Sequence, residues 1–168
     1  MSEDDFRSAF EAHKDAVYRF LWRMCGPDSA EDLAQEVFVA LLRHPGRFDA
    51  ARGTLRAFLL GIARNLALKR WRDDHHLADL DSESVIVEPF DITRRETADI
   101  VATAVRALPP LQREVIILAE YEQLSLEQIA QTVEAGIGTV KSRLFRAREN
   151  LRRVLAPLRG SARTNRVG

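Results

Sequence analysis

At 168 residues the chain has room for one domain or two small ones, and with 46% hydrophobic residues it can bury a core. Twenty-five basic residues balance twenty-five acidic ones, and the one cysteine, Cys25, excludes an intramolecular disulfide and fits a reducing cytoplasm. No apolar run reaches the roughly 18 residues of a membrane span, and the acidic start MSEDDFRSAF is the opposite of a signal peptide.

Leu, Ala, Arg and Glu dominate, no alternating strand pattern stands out, and an all-α fold follows. A first helix is expected from about Asp5 to Met24, closed by Gly26-Pro27. A second runs from about Ser29, a good N-cap, to Arg43, with Glu31-Asp32 at the positive end of its dipole and His44-Pro45-Gly46 as its stop. Arg47 to Gly53 reads as a loop. The third helix, about Thr54 to Arg72, carries Leu55, Phe58, Leu59, Ile62 and Leu66 on an apolar face. From Asp73 to about Thr93 the period fails among scattered acids and Pro89, so this is the expected linker. Helical signals return over about Arg94 to Leu108. Pro109-Pro110 break the chain, and Pro110 suits the first turn of a helix over about Leu111 to Tyr121 with Val115, Ile116, Leu118 and Ala119 as core.

The run SLEQIAQTVEAGIGTVKSRLFRARENLRR, Ser125 to Arg153, reads as two short helices around a tight turn, the second far more basic. That is the layout of a helix-turn-helix whose second helix enters a major groove. Ser125 and Gln128 form a capping box, and Leu126, Ile129, Ala130 and Val133 an apolar face. Gly136 is the expected positive-φ residue of the turn, and Thr139 caps or opens the second helix. Val140, Leu144, Ala147 and Leu151 face inward, leaving Lys141, Ser142, Phe145, Arg146 and Arg148 outward. The tail, Pro157 to Gly168, is basic and expected to be disordered.

The neutral total hides segregation. Net charge is −5 over residues 1–40, +5 over 41–75, −5 over 76–104, −3 over 105–136 and +8 over 137–168. Two basic blocks among acidic ones point to two DNA-facing surfaces, with binding that weakens steeply with salt. The expected organisation is two small helical domains, 1–74 and 94–156, joined by a flexible linker, 75–93, with a basic tail, 157–168.

Four segments, in order, resemble the extracytoplasmic-function sigma factors, the small initiation factors of bacterial RNA polymerase. AEDLAQEVFVALLR (Ala30–Arg43) is similar to the family's polymerase-binding helix, and RFDAARGTLRAFLLGIARNLALKRWRDD (Arg47–Asp74) to its −10-reading loop and helix. LPPLQREVIIL (Leu108–Leu118) is similar to the start of its second domain, and GTVKSRLFRAR (Gly138–Arg148) to its −35 recognition helix. The resemblance implies a sigma factor that binds core RNA polymerase, at the largest-subunit coiled coil and the flap region, and reads −10 and −35 promoter DNA with successive domains. Asp32, Gln35 and Glu36 would touch polymerase. Arg47, Arg52, Arg56, Arg64, Asn65 and Lys69 would hold −10 DNA, where a base is flipped out. Arg113, Thr139, Lys141, Ser142, Arg143, Phe145, Arg146 and Arg148 would hold −35 DNA, with Arg and Lys suited to guanine and Phe to a thymine methyl. Linker acids Asp79, Asp81 and Glu83 would mimic nucleic-acid charge. An anti-sigma partner is implied, covering the polymerase-binding surfaces. The family usually has glycine where this chain has Glu134.

Two other readings share these residues. A stand-alone helix-turn-helix regulator leaves the first domain unexplained, and a sigma mimic that only binds an anti-sigma factor has no need of a basic recognition helix. No nucleophile–base pattern, glycine-rich phosphate loop or metal-ligand spacing points to an enzyme, a cofactor or a metal; His13, His44, His75, His76 and Cys25 read as surface or core.

Overall fold

The computed structural model describes residues 1–75, Leu80 and 97–164, with side chains to Pro157; the acids Asp79, Asp81 and Glu83 lie outside the described residues. Among the described residues every regular element is helical. Three long helices come first: α1 (Glu3–Cys25), α2 (Pro27–Arg43) and α3 (Leu55–Asp74), with a 3₁₀ turn at Pro45–Arg47. Then follow α4 (Thr97–Ala107), α5 (Pro110–Ile116), a π turn (Ile117–Tyr121), α6 (Leu126–Thr132) and α7 (Ile137–Thr164).

Local chemistry sets these boundaries. Ser2 and Asp5 make a reciprocal capping box, so α1 begins earlier than its apolar period suggests. Gly26, at φ 88°, turns the chain, and Pro27 at the first helical position opens α2. This corrects Ser29 as the cap: it lies inside the helix. Thr54 caps α3 by accepting the Ala57 N–H at 3.1 Å. Pro157 is helical rather than the start of a disordered tail, because α7 continues to Thr164. Its missing N–H costs one ladder bond at a position exposed to water.

The helix-turn-helix turn has a definite geometry. The Ala135 N–H donates to Ala130 O at 3.0 Å around a left-handed Glu134, φ 54°, which is the 6→1 bond of a Schellman closure. Gly136 stays out of the left-handed region, so the position expected to need glycine is two residues too late. Thr139 neither caps nor opens the next helix: α7 begins at Ile137, and Val140 N–H bonds Gly136 O. The Ser125–Gln128 capping box forms as expected.

α1, α2 and α3 pack around Phe20, Leu21, Leu33, Val37, Leu41, Leu59 and Leu60. α5, the π turn, α6 and α7 pack around Val115, Ile116, Leu118, Ile129, Val133, Val140, Leu144 and Ala147. The two cores are continuous, because α1 meets α4, α5 and the π turn while α3 meets α6. This explains the departure of α3 from its expected face. It buries Leu59, Leu60, Ala63, Ala67 and Leu68, with Leu55, Phe58, Ile62 and Leu66 only partly covered, because it is sandwiched between two sets of helices. α3 and α6 meet in ordinary van der Waals contact here: a Cβ at Gly61 would lie 3.6 Å from Thr132 O.

Glu134 carries a left-handed backbone that an L side chain adopts at a cost of about 1 kcal/mol. Glu134→Gly relieves this, partly offset by glycine's larger unfolded-state entropy, for a net gain of up to about 1 kcal/mol. Thermal unfolding should shift upward by a few degrees, about 2–4 °C at most; a lower midpoint would contradict the turn geometry.

Candidate nucleic-acid interface

The first basic surface lies on the loop after α2 and along α3. Arg47 and Arg52 are exposed beside Phe48, whose ring meets Phe58 at 5.5 Å. Together with Gly53, Thr54, Ala57 and Asn65 they line a groove of about 350 Å³. Its far wall is Gln131, Thr132 and Glu134 from α6 and the helix-turn-helix turn. Lys69 is exposed one helical turn beyond Asn65, which accepts from Arg64 Nη1 at 3.2 Å. Trp71 stacks on His75 at 4.3 Å and away from this groove's lining.

Two members of the expected −10 set face the second half of the molecule instead. Arg64 forks onto Glu114, with Nε 2.7 Å from one carboxylate oxygen and Nη2 3.1 Å from the other. Arg56 binds both the carboxylate and the backbone carbonyl of Glu122, and Arg19 adds a contact at 3.7 Å. Both glutamate side chains are fully buried, and Glu122 Oε1 has no hydrogen-bond partner among the described residues. Burial pushes the Glu114 carboxyl above its usual range, against the pull of Arg64, Arg143 and Arg72.

The second basic surface is the start of α7. Thr139, Lys141, Ser142 and Phe145 are exposed, Phe145 at 66%. Arg146 is half-buried, its Nε 3.4 Å from Ser142 O, and Arg148 pairs with Glu120 at 2.8 Å. Arg143 turns inward, its Nε buried without a hydrogen-bond partner. Arg113 is buried and does not belong to this exposed surface. Its guanidinium donates to Leu108 O at 2.8 and 3.2 Å and to Met24 O at 2.5 Å, tying α5 to the end of α1. Burial pulls Arg113 down to about 10, where it remains charged at neutral pH. Asp32, Gln35 and Glu36 form an exposed polar face on α2, apart from both basic surfaces, while Leu33, Val37 and Leu41 turn inward.

Sequence reasoning missed Glu114, Glu122, Arg19 and the groove's wall of Gln131, Thr132 and Glu134. A signal existed for one of them: Glu114 is a lone acid at the head of the apolar run VIIL. The others depend on how two distant segments meet.

Residues 9–76 match Sigma-70 region 2, and residues 98–151 match Sigma-70, region 4. The chain belongs to the extracytoplasmic-function (ECF) sigma factors of RNA polymerase. It is 31% identical to ECF RNA polymerase sigma factor SigW of Bacillus subtilis, over 93% of this chain and 91% of that protein. It is 36% identical to ECF RNA polymerase sigma factor SigE of Mycolicibacterium smegmatis, over 86% of this chain but only 59% of that longer protein. Among solved structures it resembles the sigma factor RpoE bound to the anti-sigma factor NepR from Bartonella quintana, with a TM-score of 0.69 and 30% identity over 90% of this chain and 97% of that one. CnrH, solved with the cytosolic domain of CnrY, shares the fold with a TM-score of 0.70 at 23% identity over 93% of this chain and 90% of that one. The protein is thus a sigma factor, a transcription initiation factor that binds core RNA polymerase and promoter DNA.

Cys25 sits where α1 meets the second half, beside Arg70 and Arg113 in a second groove. Burial pushes its thiol up, against the pull of those arginines. A raised thiol has less thiolate at neutral pH, so alkylation by iodoacetamide should be slower in the native chain than in urea. Equal rates would contradict the packing at this junction.

Proposed function

We propose the following division of labour among the residues. Residues 1–74 act as the polymerase-binding and −10 domain, 94–156 as the −35 domain, 75–93 as the linker and 157–168 as a basic extension. Asp32, Gln35 and Glu36 contact the largest subunit's coiled coil, and the second domain docks near the flap. Arg47, Arg52, Arg56, Arg64, Asn65 and Lys69 hold the −10 non-template strand, with the groove beside Phe48 and Phe58 receiving an unstacked base. Flipping that base costs a few kcal/mol of stacking, which aromatic surface and phosphate contacts offset. Thr139, Lys141, Ser142, Phe145, Arg146 and Arg148 serve −35 DNA, by base contact or by neutralising phosphate; Arg113, held on the Leu108 and Met24 carbonyls, and Arg143, turned inward, are left out of this contact set.

The observation that carries this reading is Phe145. A large apolar side chain 66% exposed on the second helix of a helix-turn-helix, flanked by Lys141 and Ser142, has no role in the core. Against a major groove it can cover a thymine methyl while the neighbours take base edges.

An anti-sigma protein is the expected regulator, as in the RpoE–NepR complex, and would cover surfaces that polymerase needs. The chain works in the cytoplasm, supplies no catalytic chemistry of its own and requires no cofactor. No helix among the described residues is long and apolar enough to cross a membrane.

Two substitutions separate the roles. Arg146→Ala, or Phe145→Ala, should lower transcription from the cognate promoter by the equivalent of about 1–3 kcal/mol while leaving co-elution with core polymerase intact. Changing Asp32 and Gln35 to alanine should weaken the polymerase complex itself. A recognition-helix variant that transcribes normally, or that loses polymerase, would contradict the assignment.

A further inference from the structure

Guanidiniums of the first half end on carboxylates of the second. Arg64 is forked onto Glu114 across fifty residues of sequence, and Arg56 clasps Glu122 from sixty-six residues away. Arg19 reaches Glu122 as well. Both acids are buried, and the ion pairs they make are with arginines of the first half. Carboxylate and phosphate oxygens offer a guanidinium the same planar, two-pronged partner. An arginine forked onto one cannot also fork onto the other.

We propose that Glu114 and Glu122 form an internal latch that occupies, in place of DNA phosphates, two arginines of the −10 surface. This rests on the reading of Arg56 and Arg64 as −10 contacts. The latch keeps the free chain closed and weakly DNA-binding. Its opening hands the arginines to the promoter strand.

The surroundings fit a contact made to be broken. Buried ion pairs give little net stability against two hydrated charges, because desolvation offsets the attraction. Opening therefore rehydrates carboxylates and guanidiniums at modest net cost. The same junction carries Arg23 over the Tyr121 ring at 4.0 Å and Arg106 over Trp22 at 5.4 Å, contacts that water also replaces readily. The groove beside Asn65 is walled by Gln131, Thr132 and Glu134, so closure by the latch also narrows access to the expected base pocket. Glu122 follows the π turn directly, and the Glu122 N–H closes that turn on Ile117 O. The turn thus sets the register of its carboxylate against Arg56.

The test uses the full chain. Glu114→Ala with Glu122→Ala removes the carboxylate partners of Arg64 and Arg56, leaving only the Asn65 side chain and the residue-122 carbonyl to meet them when closed, so the population shifts to the open form. The radius of gyration from small-angle scattering should rise, and native Cys25 should react faster with iodoacetamide. Affinity for a fluorescent, mixed-sequence single-stranded DNA at low salt should increase by about tenfold, as the competent fraction grows. Glu31→Ala with Glu127→Ala makes the same charge change on exposed acids and should neither expand the chain nor match that gain. An unexpanded alanine variant with intact helices by circular dichroism overturns the latch. Expansion without a gain over the surface control overturns Arg56 and Arg64 as DNA contacts, and the latch's role with them. Should the alanine pair lose helix content, Glu114→Gln with Glu122→Gln carries the test. It preserves shape and an acceptor oxygen, and its gain is smaller and of the same sign; no gain overturns the proposal.

Discussion

A buried carboxylate is tolerated only where a cation and further hydrogen bonds replace the water it has lost, and this protein makes that exchange twice at one junction. Glu114 and Glu122 are sealed from solvent, and arginines of α1 and α3 supply what water no longer can. Their pairing fixes how α5 and the π turn sit on the first three helices, and hence where α6 crosses α3. Arg113 pins the other side through Met24 O. The arrangement determines which basic residues face water and which face acid.

The consequence for function is an uneven exposure of two DNA surfaces. The recognition helix presents Lys141, Ser142 and Phe145 outward in the closed arrangement. The proposed −10 surface is only half available: Arg47, Arg52 and Lys69 are exposed while Arg56 and Arg64 are engaged. Each half alone offers only a small set of exposed basic residues, from which weak DNA binding is expected. A polymerase that holds both halves at fixed spacing multiplies their affinities through effective concentration. That logic makes a closed free form useful, since two weak sites brought together only on the enzyme do not scatter along the genome.

Much of this was legible in the sequence because it rests on local rules. The capping box at Ser125, the start of the third helix near Thr54, Pro110 at a helix start and the inward row Val140, Leu144 and Ala147 each depend on residues within one or two turns. The charge blocks likewise survive folding. Readings failed where distant segments decide. The buried face of α3 is rotated because a second set of helices lies on it, which no single helical period encodes. Glu134 adopts the left-handed conformation because the Schellman closure falls there, although Gly136 is the more permissive residue. The π turn that aims Glu122 has no compositional signature in ILAEY. Arg56 and Arg64 read as DNA contacts from their place in the basic third helix; that they meet Glu122 and Glu114 depends on how two distant segments pack.

The most direct test of the account is reconstitution. The chain is mixed with bacterial core RNA polymerase, the complex is isolated by size-exclusion chromatography, and transcription starts are mapped on a genomic promoter library. The account predicts co-elution and discrete starts that share −35 and −10 motifs at constant spacing. Duplex binding by the chain alone, with no polymerase complex and no shared start motif, would contradict it.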